Sequence, residues 1–365
     1  MCVTRAMTAD ATTETSPISR RRRLDPAVVL PRGEPGSFDS HVVGDPCVVW
    51  DDDVGTWRMF YFAAREDDIC SSACALADSA EAIGPGAWHK QGSVNLANPD
   101  ALLKPTGWHK WWVATDAARP NRPNRAARLD GRFWAFFATT RPRKVIQAAW
   151  AECLAGPWRV QAGAIIEPGE RDAPDGLWCD TPTACVLNGD DELVLFYKAY
   201  PARPQAGQPG APFGSCSVAA RWRPDAPRAG KIGPILRPGN DGHAWTRGWI
   251  GGVQPVPHEV GWIGLLNASP TPPDADSHRE PAPSQGGWAV HEGGNIETGW
   301  RVDDTTGPIF SVNGLCETER EAGLGVNFWR HHLLVTPSGR ERIFFNSGAY
   351  GREQMYSCAL RNEGI

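Results

Sequence analysis

The stretch TWRMFYFAA, Thr56 to Ala64, decides the fold, because its pattern returns as GRFWAFFATT (Gly131–Thr140), ELVLFYKAY (Glu192–Tyr200), GWIGLLNAS (Gly261–Ser269) and RIFFNSGAY (Arg342–Tyr350). Each copy is a short run rich in aromatic and aliphatic residues, the composition of a buried strand. The copies are spaced by about 60 to 80 residues, longer than compact repeat periods and of the propeller kind. With 39 Gly and 32 Pro, about a fifth of the 365 residues, long helices are disfavoured and many short strands joined by turns are expected.

A strand rich in small residues follows each copy: CSSACALADS from Cys70, KVIQAAWAEC from Lys144, GSCSVAARW from Gly214, GGWAVHEGG from Gly286 and REQMYSCAL from Arg352. Four of these lead to an edge strand marked by Trp or Gly-Pro, at Trp88, Trp158, Gly230 to Leu236 and Trp300. The fifth has none before Ile365. Val28 to Leu30 reads as an outer strand with no blade ahead of it, so it can complete the last blade and hide the edges of an open sheet. The expected fold is all-β: a five-bladed β-propeller with four-stranded antiparallel blades, closed by an N-terminal strand, in one domain over residues 25–365. Residues 1–24, with TADATTETSPIS and the basic run Arg20 to Arg23, are expected to form a disordered leader. Two stacked sandwiches would leave the five copies unexplained.

A net charge of −5 and a sequence pI near 6.0, without basic runs interleaved with aromatics, argue against a nucleic-acid partner. No apolar run reaches the roughly 18 residues of a membrane span, and the leader lacks the apolar core of a secretion signal. A cytoplasmic protein with a small-molecule partner is expected. The ten cysteines are scattered through apolar strand-like runs such as those holding Cys47, Cys185 and Cys216, and read as buried reduced thiols. Cys70 and Cys74 lack the spacing, and the second pair, of a zinc site.

In a propeller the first strand of each blade lines the central channel, so residues distant in sequence converge at its mouth. Aligning the copies puts Asp45, Asn121, Asp180, Ile250 and Trp329 at equivalent starts of the innermost strands. Taken alone, Asp45-Pro46 is a common turn and strand-start pair. The recurrence moves it to the channel. Asp39 and Asp116, in neighbouring loops, are further pocket candidates and would replace Asp45 were the register shifted by a loop. Trp108, Trp111, Trp112, Trp178, Trp245 and Trp249 fall in these loops or first strands and could wall the pocket with Arg247, His331 and His332. Trp57, Trp134 and Trp262 belong to the core repeat.

The pattern D-P-x-V-V at Asp45 to Val49 followed by Met59-Phe60-Tyr61, and D-x-P-x-x-x-V-L at Asp180 to Leu187 before LVLFY, resembles the inner-strand signatures of the five-bladed glycoside hydrolase superfamily of arabinanases, β-xylosidases, invertases and levansucrases. The resemblance implies glycosidic cleavage, with Asp45 as general base or nucleophile, Asp180 as the carboxylate that tunes and orients, and a Glu as general acid. Cleavage needs one ionised group on one face of the sugar and a protonated group at the leaving oxygen. Where that Glu is expected, at the start of the fourth blade, the chain reads GWIGGVQPVPHEVGWIGLL, with no acid between Trp249 and Pro257. Substitute acids are His243 in NDGHAWTRGW and Glu317 and Glu319 in NGLCETEREAG. The expected function is a glycoside-hydrolase-like enzyme acting on a small glycoside or oligosaccharide. The alternatives are a propeller repurposed to bind, isomerise or cyclise a specialised metabolite, and a protein-binding scaffold. No organic cofactor is expected, although carboxylate and carbonyl oxygens in the channel could hold a hard cation such as Ca²⁺.

Overall fold

Thr56–Ala64 is buried along nearly its whole length, on both faces, as happens to a strand sandwiched between two neighbouring sheets. Its four counterparts share that environment. The computed structural model describes residues 26–66, 69–116, 124–140, 142–187, 192–202, 214–239, 243–258, 261–271, 284–303, 307–311, 327–349 and 351–362, with the backbone of 21–23. These residues form five antiparallel sheets arranged as the blades of a propeller.

Blade 1 comprises Val42–Asp51, Thr56–Ala64, Cys70–Ala77 and Trp88–Ser93, from axis to rim. Blade 2 comprises Trp108–Val113, Arg132–Thr139, Ile146–Ala151 and Arg159–Val160. Trp178–Val186, Leu193–Tyr200, Cys216–Trp222 and Gly230–Leu236 make blade 3. In blade 4 the innermost strand is split into Trp249–Ile250 and Gln254–His258, ahead of Gly261–Ser269, Gln285–His291 and Arg301–Asp303. Phe328–Val335, Glu341–Ser347 and Gln354–Asn362 make blade 5. Its outer strand is Ala27–Leu30, paired antiparallel as Ala27 with Ser357 and Val28 with Tyr356, so the N-terminal strand closes the ring.

One expectation is corrected. The innermost strand of blade 2 is Trp108–Val113, so the counterpart of Asp45 there cannot be Asn121, which lies outside the described residues. The Trp-rich WHKWWV run lacks the Asp that marks blades 1 and 3, which displaced the alignment.

Blades are held together by one repeated aromatic contact. A Phe at the centre of the second strand meets, edge to face, a Trp of the next blade's outer hairpin: Phe60 with Trp158, Phe136 with Trp222, Phe196 with Trp300, and Phe344 with Trp88. Centroids are 5.5 to 6.1 Å apart and planes cross at 79 to 87°, the geometry in which the positive ring edge faces the negative π cloud. Each indole N–H donates to a carbonyl of its own hairpin, as from Trp158 to Leu154 and from Trp300 to Ile296. At the fifth interface Leu265 takes the Phe position and packs in one apolar cluster with Val28 of the closing strand.

Below its mouth the channel is sealed. Adjacent innermost strands splay too far apart to share a full ladder, and side chains satisfy their backbones instead. Asn124 donates to Leu333 O at 2.9 Å and accepts from Val335 N at 3.1 Å, while Gln254 accepts from Leu333 N at 2.8 Å. His332 Nε2 accepts from Val48 N at 3.2 Å. Burial lowers the His332 pKa to about 3, so the ring is neutral and able to accept there. Among the described residues no helix is long and apolar enough to cross a membrane.

Trp158 is fully buried at the first interface. Trp158→Ala is expected to cost about 3–5 kcal/mol, whereas Val54→Ala, at a half-exposed hairpin tip, changes stability by less than about 0.5 kcal/mol. Urea denaturation of the two variants checks the contrast.

Candidate functional site

Three rows of positions, on or just ahead of the first three strands of the blades, face the mouth of the channel. The first row is set by a break in the innermost strands. Pairing with the second strand slips between Gly44 and Cys47, His109 and Trp112, Asp180 and Thr183, and Trp329 and His332. Within each break one non-glycine residue has positive φ: Asp45 (50°), Lys110 (61°), Thr181 (50°) and Arg330 (34°). This is a β-bulge, which turns the side chain toward the axis at a backbone cost of about 1–2 kcal/mol per residue. Asp45 therefore matches Thr181 in position, and Asp180 matches Gly44.

The second row lies two residues beyond the clasp Phe or Leu of the second strand, at Phe62, Lys198, Asn267 and Asn346. The third row lies just ahead of the third strand, where the carbonyl accepts from the innermost strand of the following blade: Glu353 from Val43 N at 3.1 Å, and Lys144 from Cys179 N at 3.1 Å. In blade 4 the bulge position is Gly251, whose missing side chain leaves room for Asn267. A Cβ there would lie 2.0 Å from Asn267 Oδ1.

These rows enclose a cavity of about 530 Å³. Asp45, Glu353, His41 and Asn346 form its wall on blades 5 and 1, and Lys104, Lys110, Lys144 and Lys198 form the wall on blades 2 and 3, with Arg330 beside them. Trp178, Tyr200 and Trp329 supply aromatic surface. Trp329 stacks on Trp249 at 5.7 Å, and the Lys198 ammonium sits 4.2 Å over the Trp249 ring.

Asp180 lies beneath this surface and is completely buried. Its Oδ2 accepts from Lys110 at 3.0 Å and from Lys144, and its Oδ1 accepts from Thr181 N at 2.8 Å. Burial alone would raise its pKa, but the two ammoniums overcome that penalty and hold it well below the usual carboxylate range. Burial likewise opposes the charge on Lys110, and Asp180 and Asp45 more than restore it. His109, 3.9 Å from Asp180, is kept neutral by burial and by Lys110. Glu353 is in the opposite situation. Burial pushes its pKa up to about 7, beyond what its own N–H recovers, and the nearby Asp45 charge adds to the rise.

The structure brings Asp45 and Trp178 to the cavity, with Asp180 one layer below and Trp249 behind Trp329. Other sequence candidates lie elsewhere. Asp39 is buried against Lys90 (2.6 Å) and Tyr61 (3.3 Å), a clamp repeated in blade 3 by Asp175, Lys231 (2.5 Å) and Tyr197 (2.8 Å), so it braces a loop. Asp116 falls past the far end of the blade 2 innermost strand, beside Val186. His331 follows the bulge and so points away from the axis, stacking on Phe310 at 4.9 Å. Gly286 accommodates it, since a Cβ there would lie 2.2 Å from the ring. Trp245 packs in the core against Gly287, Arg247 is exposed outside the cavity, and His243 precedes the turn Ala244–Thr246 without lining it. Glu317 and Glu319 lie outside the described residues.

Sequence reasoning missed Lys110, Lys144, Lys198, Arg330 and Glu353. Lys198 had a legible signal, as the polar residue in LVLFYKAY at a fixed offset from the aromatic repeat, shared with the Asn of GWIGLLNAS and RIFFNS. Among the described residues no three of His, Cys, Asp or Glu gather as a metal would need, and the positive charge facing Asp180 comes from lysines.

No protein-family model and no curated protein matches the sequence. Solved structures share the architecture at low identity. A complex of BT0996 with RGII has a TM-score of 0.70 and 12% identity, over 95% of this protein and 94% of that one. A thermostable family-43 glycoside hydrolase has 0.59 and 14%, over 92% and 95%. An endo-arabinase from Bacteroides thetaiotaomicron has 0.53 and 12%, over 93% and 98%. At these identities the likeness is one of fold.

Asp180→Asn should cost about 3–5 kcal/mol by stranding the Lys110 and Lys144 ammoniums, Lys144→Met should cost less because Lys110 still bonds Asp180, and the double variant should cost less than their sum. A double-mutant cycle in urea measures the coupling. For Glu353, the folded state holds its proton at a pH where the unfolded chain has released it, so the penalty grows between the ordinary value of 4.5 and about 7. Glu353→Gln should therefore raise the melting temperature relative to the parent at pH 8, with the gain vanishing by pH 4.

Proposed function

We propose that this protein is a glycoside-hydrolase-like enzyme that cleaves a small glycoside or oligosaccharide in the propeller mouth. Asp45 serves as base or nucleophile and Glu353 as general acid. The observation that carries this reading is one cavity holding two carboxyls in opposite surroundings: Asp45 faces Lys110 and Arg330, while Glu353 is buried with its pKa near 7. Two carboxyls in such unlike surroundings match the division of labour in glycoside cleavage. The fold likeness to glycoside hydrolases supports a carbohydrate substrate.

In this reading Glu353 gives its proton to the leaving glycosidic oxygen as the bond to the anomeric carbon breaks. Asp45 either takes a proton from the attacking water or attacks that carbon itself. Trp178, Tyr200 and Trp329 offer faces for the apolar side of the sugar ring, and Asn267 and Asn346 offer amides to its hydroxyls. Asp180 works through Lys110 and Lys144, fixing where the two ammoniums stand.

Purified protein should release sugar from a panel of aryl furanosides and pyranosides, and Asp45→Asn should abolish the release. Glu353→Gln should lower kcat/KM by about 10²–10⁴-fold for substrates with poor leaving groups and far less for activated aryl leaving groups. Because Glu353 must be protonated, kcat/KM should fall as pH rises through about 7 in the parent, and this limb should be absent in the variant. Turnover untouched by Asp45→Asn, or equal losses for good and poor leaving groups in Glu353→Gln, would sink the assignment.

A further inference from the structure

The chain has 31 arginines and only six lysines. Two of the six, Lys90 and Lys231, brace the Asp39 and Asp175 loops. All the other four, Lys104, Lys110, Lys144 and Lys198, line the cavity that holds Asp45 and Glu353. Arg330 joins them, with only 6% of its surface exposed. Its Nη2 donates to Pro182 O at 2.7 Å, and Nη1 has no hydrogen-bond partner among the described residues. Among the described residues the cavity thus gathers six cations, with Arg65 as the sixth, against the carboxyls of Asp45, Asp180 and Glu353, an excess of three in a chain of net charge −5.

That excess is costly twice over. Buried cations lose hydration that the fewer carboxyls only partly replace. Glycoside cleavage also passes through an oxocarbenium-like state carrying positive charge on the sugar, which a cation-rich wall opposes. A neutral sugar relieves neither cost, whereas an anionic substituent relieves both, and the polarity of the cavity says where it would sit. The acid wall is on blades 5 and 1, and the lysine wall is on blades 2 and 3.

We infer that the substrate is an anionic sugar, whose oxyanion group, a carboxylate or a sulfate or phosphate ester, sits against Lys198, Lys104 and Arg330 while its glycosidic bond lies toward Asp45 and Glu353. Lys110 and Lys144, held by Asp180, extend the positive field from below. This inference rests on the glycosidase reading for its chemistry, but its binding part is tested without turnover.

Calorimetric titration of the full chain with free glucuronate, galacturonate, glucose 6-sulfate and glucose 6-phosphate is set against glucose, galactose and the methyl esters of the two uronates. At least one anionic sugar should bind about tenfold or more tightly than its uncharged counterpart, with the preference shrinking as salt rises. The uronate, sulfate and phosphate arms identify which oxyanion is read. Lys198→Met should remove most of the preference, and Lys104→Met, at a less buried site, should reduce it independently if the first variant folds poorly. Equal binding of charged and uncharged sugars, binding of none, or full preference retained in both variants overturns the inference. Asp45-dependent turnover of neutral aryl glycosides without anion preference would overturn it and leave the glycosidase reading standing. Anion-selective binding with no turnover of any glycoside would support it and remove the glycosidase reading.

Discussion

A bulge at the same height in four of the five innermost strands is the constraint on which the rest of the site depends. Forcing Asp45, Lys110, Thr181 and Arg330 to positive φ breaks the ladder with the second strand and turns each side chain into the channel. No glycine eases these four positions, so their strain persists only because the surroundings hold it. Asn346 Oδ1 accepts from Asp45 N, Asp180 accepts from Thr181 N, and Pro182 O accepts from Arg330. Aromatic clasps between blades make those surroundings rigid, and the amides of Asn124 and Gln254 seal the channel below. A bowl with a fixed floor and an inward ring of side chains results.

Burial sets the chemistry of that bowl in two opposite ways. Asp180 is deeper than Glu353 and yet remains charged, because two ammoniums bond to it. Glu353 has no bonded cation of that kind and shifts toward the neutral acid. The difference between the two carboxyls is therefore one of partners, with depth acting in the same direction on both. Lysine suits this role better than arginine, since a compact ammonium on a flexible stem can reach a shared carboxylate and still project charge into the cavity.

Much of the architecture was legible in the chain. The second strands, buried on both faces, must be continuously apolar, and the turns between them must be polar or Gly-rich, so five copies stand out at nearly their true boundaries. The closing strand was legible because the last blade lacked an outer strand and the N-terminal segment had a spare one. Blade 2 was misaligned for the complementary reason: its innermost strand, WHKWWV, has no acidic marker, and Lys110 takes the place that Asp45 holds in blade 1. A bulge also defeats simple alternation. It exchanges which neighbour faces the axis, so Arg330 lines the cavity and His331 is lost to the core.

What the amino-acid sequence determined by itself is the ring of five blades, its closure, and the location of Asp45 at the channel mouth, because each follows from periodic burial along the chain. Only the tertiary structure decided which groups meet Asp45 there. Lys110, Lys144, Lys198, Arg330 and Glu353 come from blades 2, 2, 3, 5 and 5, on three different strand positions. Their convergence depends on the bulges and on blade-to-blade packing, neither of which leaves a local pattern, and their protonation depends on a burial and a company that exist only once the ring has closed.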